Sequence, residues 1–139
     1  MVAFTYRTRV AWVDTDAAQV AHFSNYFRYF ERAEQELFNT LGLDMLSLGT
    51  KYQVWFPRVE AHCRYLHPCK LNDVIDVELH ASVLTEKAIR YEFKIHNISE
   101  GKLAAEGYSV VVAASSVESK AVPIPQELVT VLKSRLETS

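Results

Sequence analysis

From Phe4 to Val13 the chain alternates, with Phe4, Tyr6, Val10 and Trp12 on one side and Thr5, Arg7 and Arg9 on the other. A period of two predicts a half-buried strand. The alternation stops at Asp14, where small and polar residues take over until about His22. Beyond that point the period changes. At about 100° per residue, Phe23, Tyr26, Phe27, Tyr29, Phe30, Ala33, Leu37, Phe38 and Leu41 fall within an arc of about 180°. Ser24, Asn25, Arg28, Arg32, Gln35, Glu36 and Asn39 fill the rest, and Gly42 supplies a stop. Six of the sixteen aromatics lie between Phe23 and Phe38, so this one helix is expected to carry much of the core. An arc that wide suits a helix held in the concave face of a curved sheet. Glu34 interrupts it and needs a partner, solvent or a second chain.

Four further strands then follow, three of them alternating with period two. Trp55, Pro57, Val59, Ala61, Cys63 and Tyr65 form an apolar side, with Arg58, Glu60, His62 and Arg64 opposite. After a turn over Pro68 to Asn72, Ile75, Val77, Leu79, Ala81 and Val83 oppose Asp76, Glu78, His80 and Ser82. Across Thr85 to Lys87, Ile89, Tyr91, Phe93 and Ile95 oppose Arg90, Glu92, Lys94 and His96. A turn at Ser99–Gly101 leads to Leu103–Ala114, apolar on both faces near Tyr108–Val112, which predicts an interior strand. The last three strands, joined by short turns, predict an antiparallel meander. Pro123 and Pro125 end the sheet pattern, and Gln126 to Leu136 predicts a short terminal helix. The expected fold is α+β: five antiparallel strands around one long helix, in a single domain over residues 1–139.

Composition narrows the function classes. At 139 residues, 49% hydrophobic and 23% charged, the chain has the make-up of one ordered globular domain. A net charge of -2 without a Lys/Arg cluster argues against a nucleic-acid or polybasic membrane role. No apolar run approaches the roughly 20 residues of a membrane span, and no secretion signal is visible. Cys63 and Cys69 fit neither a redox motif nor a zinc knuckle, so a cytoplasmic location is expected, with Cys63 in the core. His62, His67, His80 and His96 are scattered, and no metal is expected. With four glycines and no Gly-rich phosphate loop or GxSxG elbow, neither a nucleotide cofactor nor a serine nucleophile is expected.

The candidate chemistry gathers between the first strand and the helix. Asp14 and Asp16 stand two residues apart in a loop that enters a helix. Aspartates serve turns and helix entries by accepting backbone N–H bonds, and that reading explains both. The same geometry also places a carboxylate beside unpaired helix N-terminal amides, which can stabilise an oxyanion forming on a carbonyl. Such a carboxylate can act in acyl transfer as nucleophile or as base toward water. His22 can orient water, bind substrate or close the turn. Arg58, Arg64, Arg90 and Lys94 are candidates for gripping phosphates, or are simply solvated.

The run Asp14-Thr-Asp16…His22-Phe-Ser-Asn-Tyr26-Phe-Arg-Tyr-Phe-Glu31-Arg-Ala resembles the entry segment of the 4-hydroxybenzoyl-CoA thioesterase family of hotdog-fold enzymes. Tyr65-Leu-His-Pro68…Asp73 resembles that family's Tyr-x-x-Pro…Asp element. The resemblance implies a hotdog fold and hydrolysis of an acyl-CoA. It also implies a homodimer or homotetramer with sheets joined edge to edge and the active site at the dimer interface. It makes Asp16 the essential carboxylate and the Phe23 amide the donor to the thioester carbonyl, with His22 and Asn25 shaping the site. Tyr26, Phe30 and Trp55 would line an acyl tunnel, with Arg58 and Arg90 as further substrate contacts. Many family members have glycine where this chain has Gln19, which leaves open a non-catalytic module that binds acyl-thioesters or assembles with partners. Hotdog dehydratases fit poorly, because their Asp/His pair sits on a differently spaced motif.

Overall fold

The computed structural model describes residues 4–136, so the ends of the domain expected over 1–139 lie outside the described residues. The chain runs β1 (Phe4–Arg9), a 3-10 turn (Trp12–Asp14), α1 (Asn25–Thr40), α2 (Met45–Tyr52) and β2 (Val54–Trp55). It continues through β3 (Arg58–Tyr65), β4 (Val74–Thr85), β5 (Ala88–Asn97), β6 (Lys102–Val112), β7 (Ala114–Ser115) and α3 (Gln126–Leu136). Five strands form one antiparallel sheet in the order β1-β4-β5-β6-β3, and β2 pairs with β7 in a small ribbon. The meander β4-β5-β6 is its centre, and β6 is interior, as the two-sided apolar run predicts.

Alternation along β4 and β5 sends Ile75, Val77, Leu79, Tyr91, Phe93 and Ile95 to the concave face, where each is at most 2% exposed. Helix α1 lies on that face. It buries Tyr26, Tyr29, Phe30, Ala33, Leu37 and Phe38, and Phe30 stacks flat on Phe93 with ring centroids 4.2 Å apart. Gly107 on β6 makes this stacking possible: a Cβ there would sit 3.0 Å from the Phe30 ring and 2.2 Å from the His62 carbonyl oxygen. Helix α1 ends in a Schellman turn, in which the Leu43 amide donates to the Phe38 carbonyl and the Gly42 amide to that of Asn39. Gly42 there takes φ of 74°.

Several expectations are corrected. Strand β1 ends at Arg9, and the 3-10 turn that follows leaves Trp12 83% exposed instead of beside Phe4 and Tyr6. Helix α1 starts at Asn25, so Phe23 precedes it and is 64% exposed. Strand β3 is an edge strand whose apolar side is open: Trp55 before it, and Val59 and Tyr65 within it, are exposed. Cys63 is half-buried against the core; the fully buried thiol is Cys69. Helix α2 was not foreseen, although Asp44 caps it by accepting from the Ser47 amide at 2.8 Å.

Candidate active site

The loop between β1 and α1 is a closed, hydrogen-bonded unit. Thr15 and Ala21 form an antiparallel bridge, and inside it the Asp16 amide donates to the Val20 carbonyl at 3.0 Å. The Gln19 amide donates back to the Asp16 carbonyl at 2.9 Å, closing a four-residue turn with Gln19 at φ of 64°. That left-handed backbone favours glycine, so Gln19 stands at a strained position. The loop is docked on the Pro68–Asp73 turn: the Ala21 amide donates to the Cys69 carbonyl at 2.7 Å, and Val20 bridges Lys70. Asp73 and the buried Asn97 hold that turn, Asn97 Nδ2 donating to Asp73 Oδ2 at 2.8 Å. Asn97 was missed by the sequence reading; its only signal is its place at the end of an alternating strand.

The two aspartates have different work. Asp14 Oδ2 accepts from the Tyr29 hydroxyl at 2.9 Å and from the Ala11 amide at 3.0 Å. Its carbonyl accepts from the His22 amide and from Asn25 Nδ2, each at 2.8 Å. Asp14 therefore clamps the loop to the helix. Asp16 is half-buried, and its Oδ1 accepts only the local Ala18 amide at 2.8 Å. Its other oxygen has no hydrogen-bond donor among the described residues.

The amides at the helix entry are almost all used. Those of His22, Asn25 and Tyr26 donate to carbonyls, and that of Ser24 donates to His22 Nδ1 at 3.3 Å. Among the described residues, the Phe23 amide has no acceptor. It lies one residue before the cap Ser24, at the positive end of α1, where an arriving oxyanion is favoured. The exposed His22 ring turns back onto Ser24 Oγ at 2.8 Å and packs beside Phe23, with centroids 4.6 Å apart. Tyr65 closes over the entry, its ring edge-on to Phe23 and Tyr26 and its hydroxyl donating to the Phe23 carbonyl at 3.4 Å.

The other candidates are placed elsewhere. Asn25 is buried and spends its amide on Asp14. Tyr26 and Phe30 are core residues at the start of α1, while the exposed Trp55 lies outside the cavities that Phe30 and Phe56 line. Arg58 was expected on the outward face with His62 and Arg64. A bulge between Arg58 and Glu60 turns it to the concave side, where Nη2 meets Glu34 at 2.9 Å and Nη1 meets Ser109 Oγ at 3.2 Å. It is no free phosphate grip. Arg90 stands on the convex face over the Tyr108 ring, 4.0 Å from its centroid, and pairs with Glu92 at 3.4 Å, in an open groove that Lys94 and the Arg64–Glu106 pair also line. The sheet thus separates it from α1 and the loop. None of the grooves on the single chain named here is lined by Asp16. Among the described residues no cluster of three His, Cys, Asp or Glu side chains is disposed to hold a metal ion, and no helix is long and apolar enough to cross a membrane.

Comparison with known proteins fits this architecture. The model of a family described as the thioesterase-like superfamily matches residues 10–132. A candidate esterase of Aquifex aeolicus is 31% identical over 133 residues, covering 94% of this chain and 98% of that protein. A 1,4-dihydroxy-2-naphthoyl-CoA hydrolase of Thermosynechococcus vestitus is 27% identical, covering 95% and 90%. The crystal structure of a 1,4-dihydroxy-2-naphthoyl-CoA thioesterase from Synechocystis superposes with a TM-score of 0.91 over 99% of this chain and all of the other; at 22% identity this likeness speaks to the fold.

Proposed function

Because the chain belongs to the thioesterase-like superfamily, we propose that it hydrolyses a coenzyme A thioester to the free acid and CoA. The observation that carries this reading is the pairing, on one loop, of a carboxylate oxygen without a donor (Asp16) and a backbone amide without an acceptor (Phe23) among the described residues. The Phe23 amide holds the thioester carbonyl and the charge that develops on its oxygen. Asp16 attacks the carbonyl carbon, or takes a proton from the water that does. Attack by Asp16 expels CoA as the thiolate and leaves a mixed anhydride, which water then hydrolyses to the acid and the regenerated carboxylate; attack by water forms the acid as CoA leaves. His22 and Tyr65 shape the entrance, and Asn25 acts through Asp14 by fixing the loop.

The site is completed by a second chain. Among the described residues, no strand pairs with the outer edge of the eight-residue β3, which exposes Val59 and Tyr65. Such an edge is normally covered, and a two-fold pairing of β3 with β3 extends one sheet into the next. Both thiols are unpaired, which suits a reducing cytoplasm. The test is release of free CoA from a panel of aromatic and aliphatic acyl-CoAs, run beside sedimentation. Turnover by a dimer or tetramer is expected. Tight binding of acyl-CoA with no release would instead favour the non-catalytic module that Gln19 keeps in play.

A further inference from the structure

Helix α1 carries a polar feature that the loop chemistry leaves unused. Glu34 is only 7% exposed, and while Oε2 is held by Arg58, Oε1 is buried with no hydrogen-bond partner among the described residues. A buried oxygen left unsatisfied is unfavourable by about 1–3 kcal/mol, so it marks a place where something arrives. Two cavities meet there. One, of about 180 Å³, runs along Phe27, Phe30 and Ala61; the other, of about 460 Å³, continues past Phe38, Met45 and Phe56. Glu31, Glu34 and Arg58 line both. The narrower cavity therefore leads from Phe27, in the first turn of α1, to a polar station, and the wider one continues beyond it between apolar side chains and the polar Gln35, Asn39 and Asp44.

Distance along the helix turns this into a substrate. Glu34 lies nine residues after Asn25, about 13 Å at 1.5 Å per residue, and its side chain leans back toward the helix start. Its carboxylate thus sits roughly 10–12 Å from the entry. Building on the thioesterase reading above, we propose that the preferred acyl group is a medium-length chain bearing a hydroxyl about eight to ten carbons from the thioester, at about 1.2 Å per bond of extended chain, which Glu34 Oε1 receives.

A hydroxyl is the group that fits. Burial pushes the Glu34 carboxyl above the ordinary carboxylate range, Arg58 opposes that shift, and Glu31 adds to it. A hydroxyl can donate to the ionised form or accept from the protonated one. The charged lining there, Glu31 and Glu34 against Arg28 and Arg58, is balanced, so a neutral group fits better than an ammonium or a carboxylate. A hydroxyl on a single aroyl ring stops several bonds short of this point.

The test is calorimetric affinity, measured on Asp16→Asn protein so that the thioester survives. The ligands are decanoyl-CoA and its three isomeric derivatives hydroxylated at the third, sixth or ninth carbon. The ninth-carbon isomer is expected to bind about tenfold or more tightly than decanoyl-CoA, and the third-carbon isomer no better than it. The paired substitution Glu34→Leu with Arg58→Met, which keeps the site apolar and packed, should erase the preference. Equal affinity for all four ligands, or a preference that survives the double substitution, overturns the inference. Release of CoA by the parent protein is read separately. Turnover without preference sinks this inference alone, preference without turnover sinks the thioesterase reading alone, and binding of none of the four sinks both.

Discussion

The Tyr29 hydroxyl donates to Asp14 Oδ2 at 2.9 Å, and this bond decides which of two neighbouring aspartates is committed to structure. Burial, and then Asp14 itself, hold the Tyr29 phenol protonated far above its usual range, so it donates at any working pH. Tyr29→Phe should therefore lower stability by about 1–3 kcal/mol. Urea denaturation checks this, and an unchanged midpoint would remove the clamp from the account.

Gln19 supplies a second prediction. Its φ of 64° is unfavourable for a residue with a Cβ by about 1–2 kcal/mol, while glycine adopts it freely. Gln19→Gly gains flexibility in the unfolded chain, so the expected net stabilisation is below about 1 kcal/mol. A small rise in the urea midpoint, with any turnover retained, is expected. Destabilisation would mean that the Gln19 side chain holds the turn by contacts outside the chain.

Gly107→Ala tests the seat of the helix. The added methyl would fall 2.2 Å from the His62 carbonyl oxygen and 3.0 Å from Phe30, so strand and ring must both move. A loss of about 1–3 kcal/mol is expected from such overpacking. Its signature is a change in the near-ultraviolet circular dichroism of the packed aromatics, because Phe30 is displaced from Phe93.

How much of this was legible beforehand follows the physics of each signal. Alternation along β4 and β5 reports burial on one face of a paired strand, and it placed Ile75, Phe93 and their neighbours correctly. Strand β3 carries the same alternation, yet Val59 and Tyr65 are exposed, because periodicity records which side chains share a face and not whether that face is covered within one chain. Arg58 was misplaced by a single extra residue: a bulge reverses the alternation beyond it and leaves no mark in the pattern. The Asp-x-Asp spacing pointed to the loop but was silent on the division of labour. That division depends on Tyr29, thirteen residues beyond Asp16, and on Asn25, whose amide turns inward.

Cys69 gives a pH dependence with a definite sign. Burial pushes its thiol from the ordinary 9.0 up to about 11, so the folded state binds the proton more tightly than the unfolded one. Its contribution to stability is fully present below pH 9.0 and is lost as the pH rises through about 11. Urea midpoints should fall across that window, and less steeply in Cys69→Ala. Parallel curves for the two proteins would show that the thiol does not titrate differently on unfolding.

The most direct test compares Asp16→Asn with the parent for release of free CoA from the best acyl-CoA, with circular dichroism and urea midpoints recorded on both. Among the described residues the Asp16 side chain makes one local bond, so the fold should be kept while the rate falls by about 10²–10⁴-fold. A folded Asp16→Asn protein that turns over at the parent's rate would contradict the account.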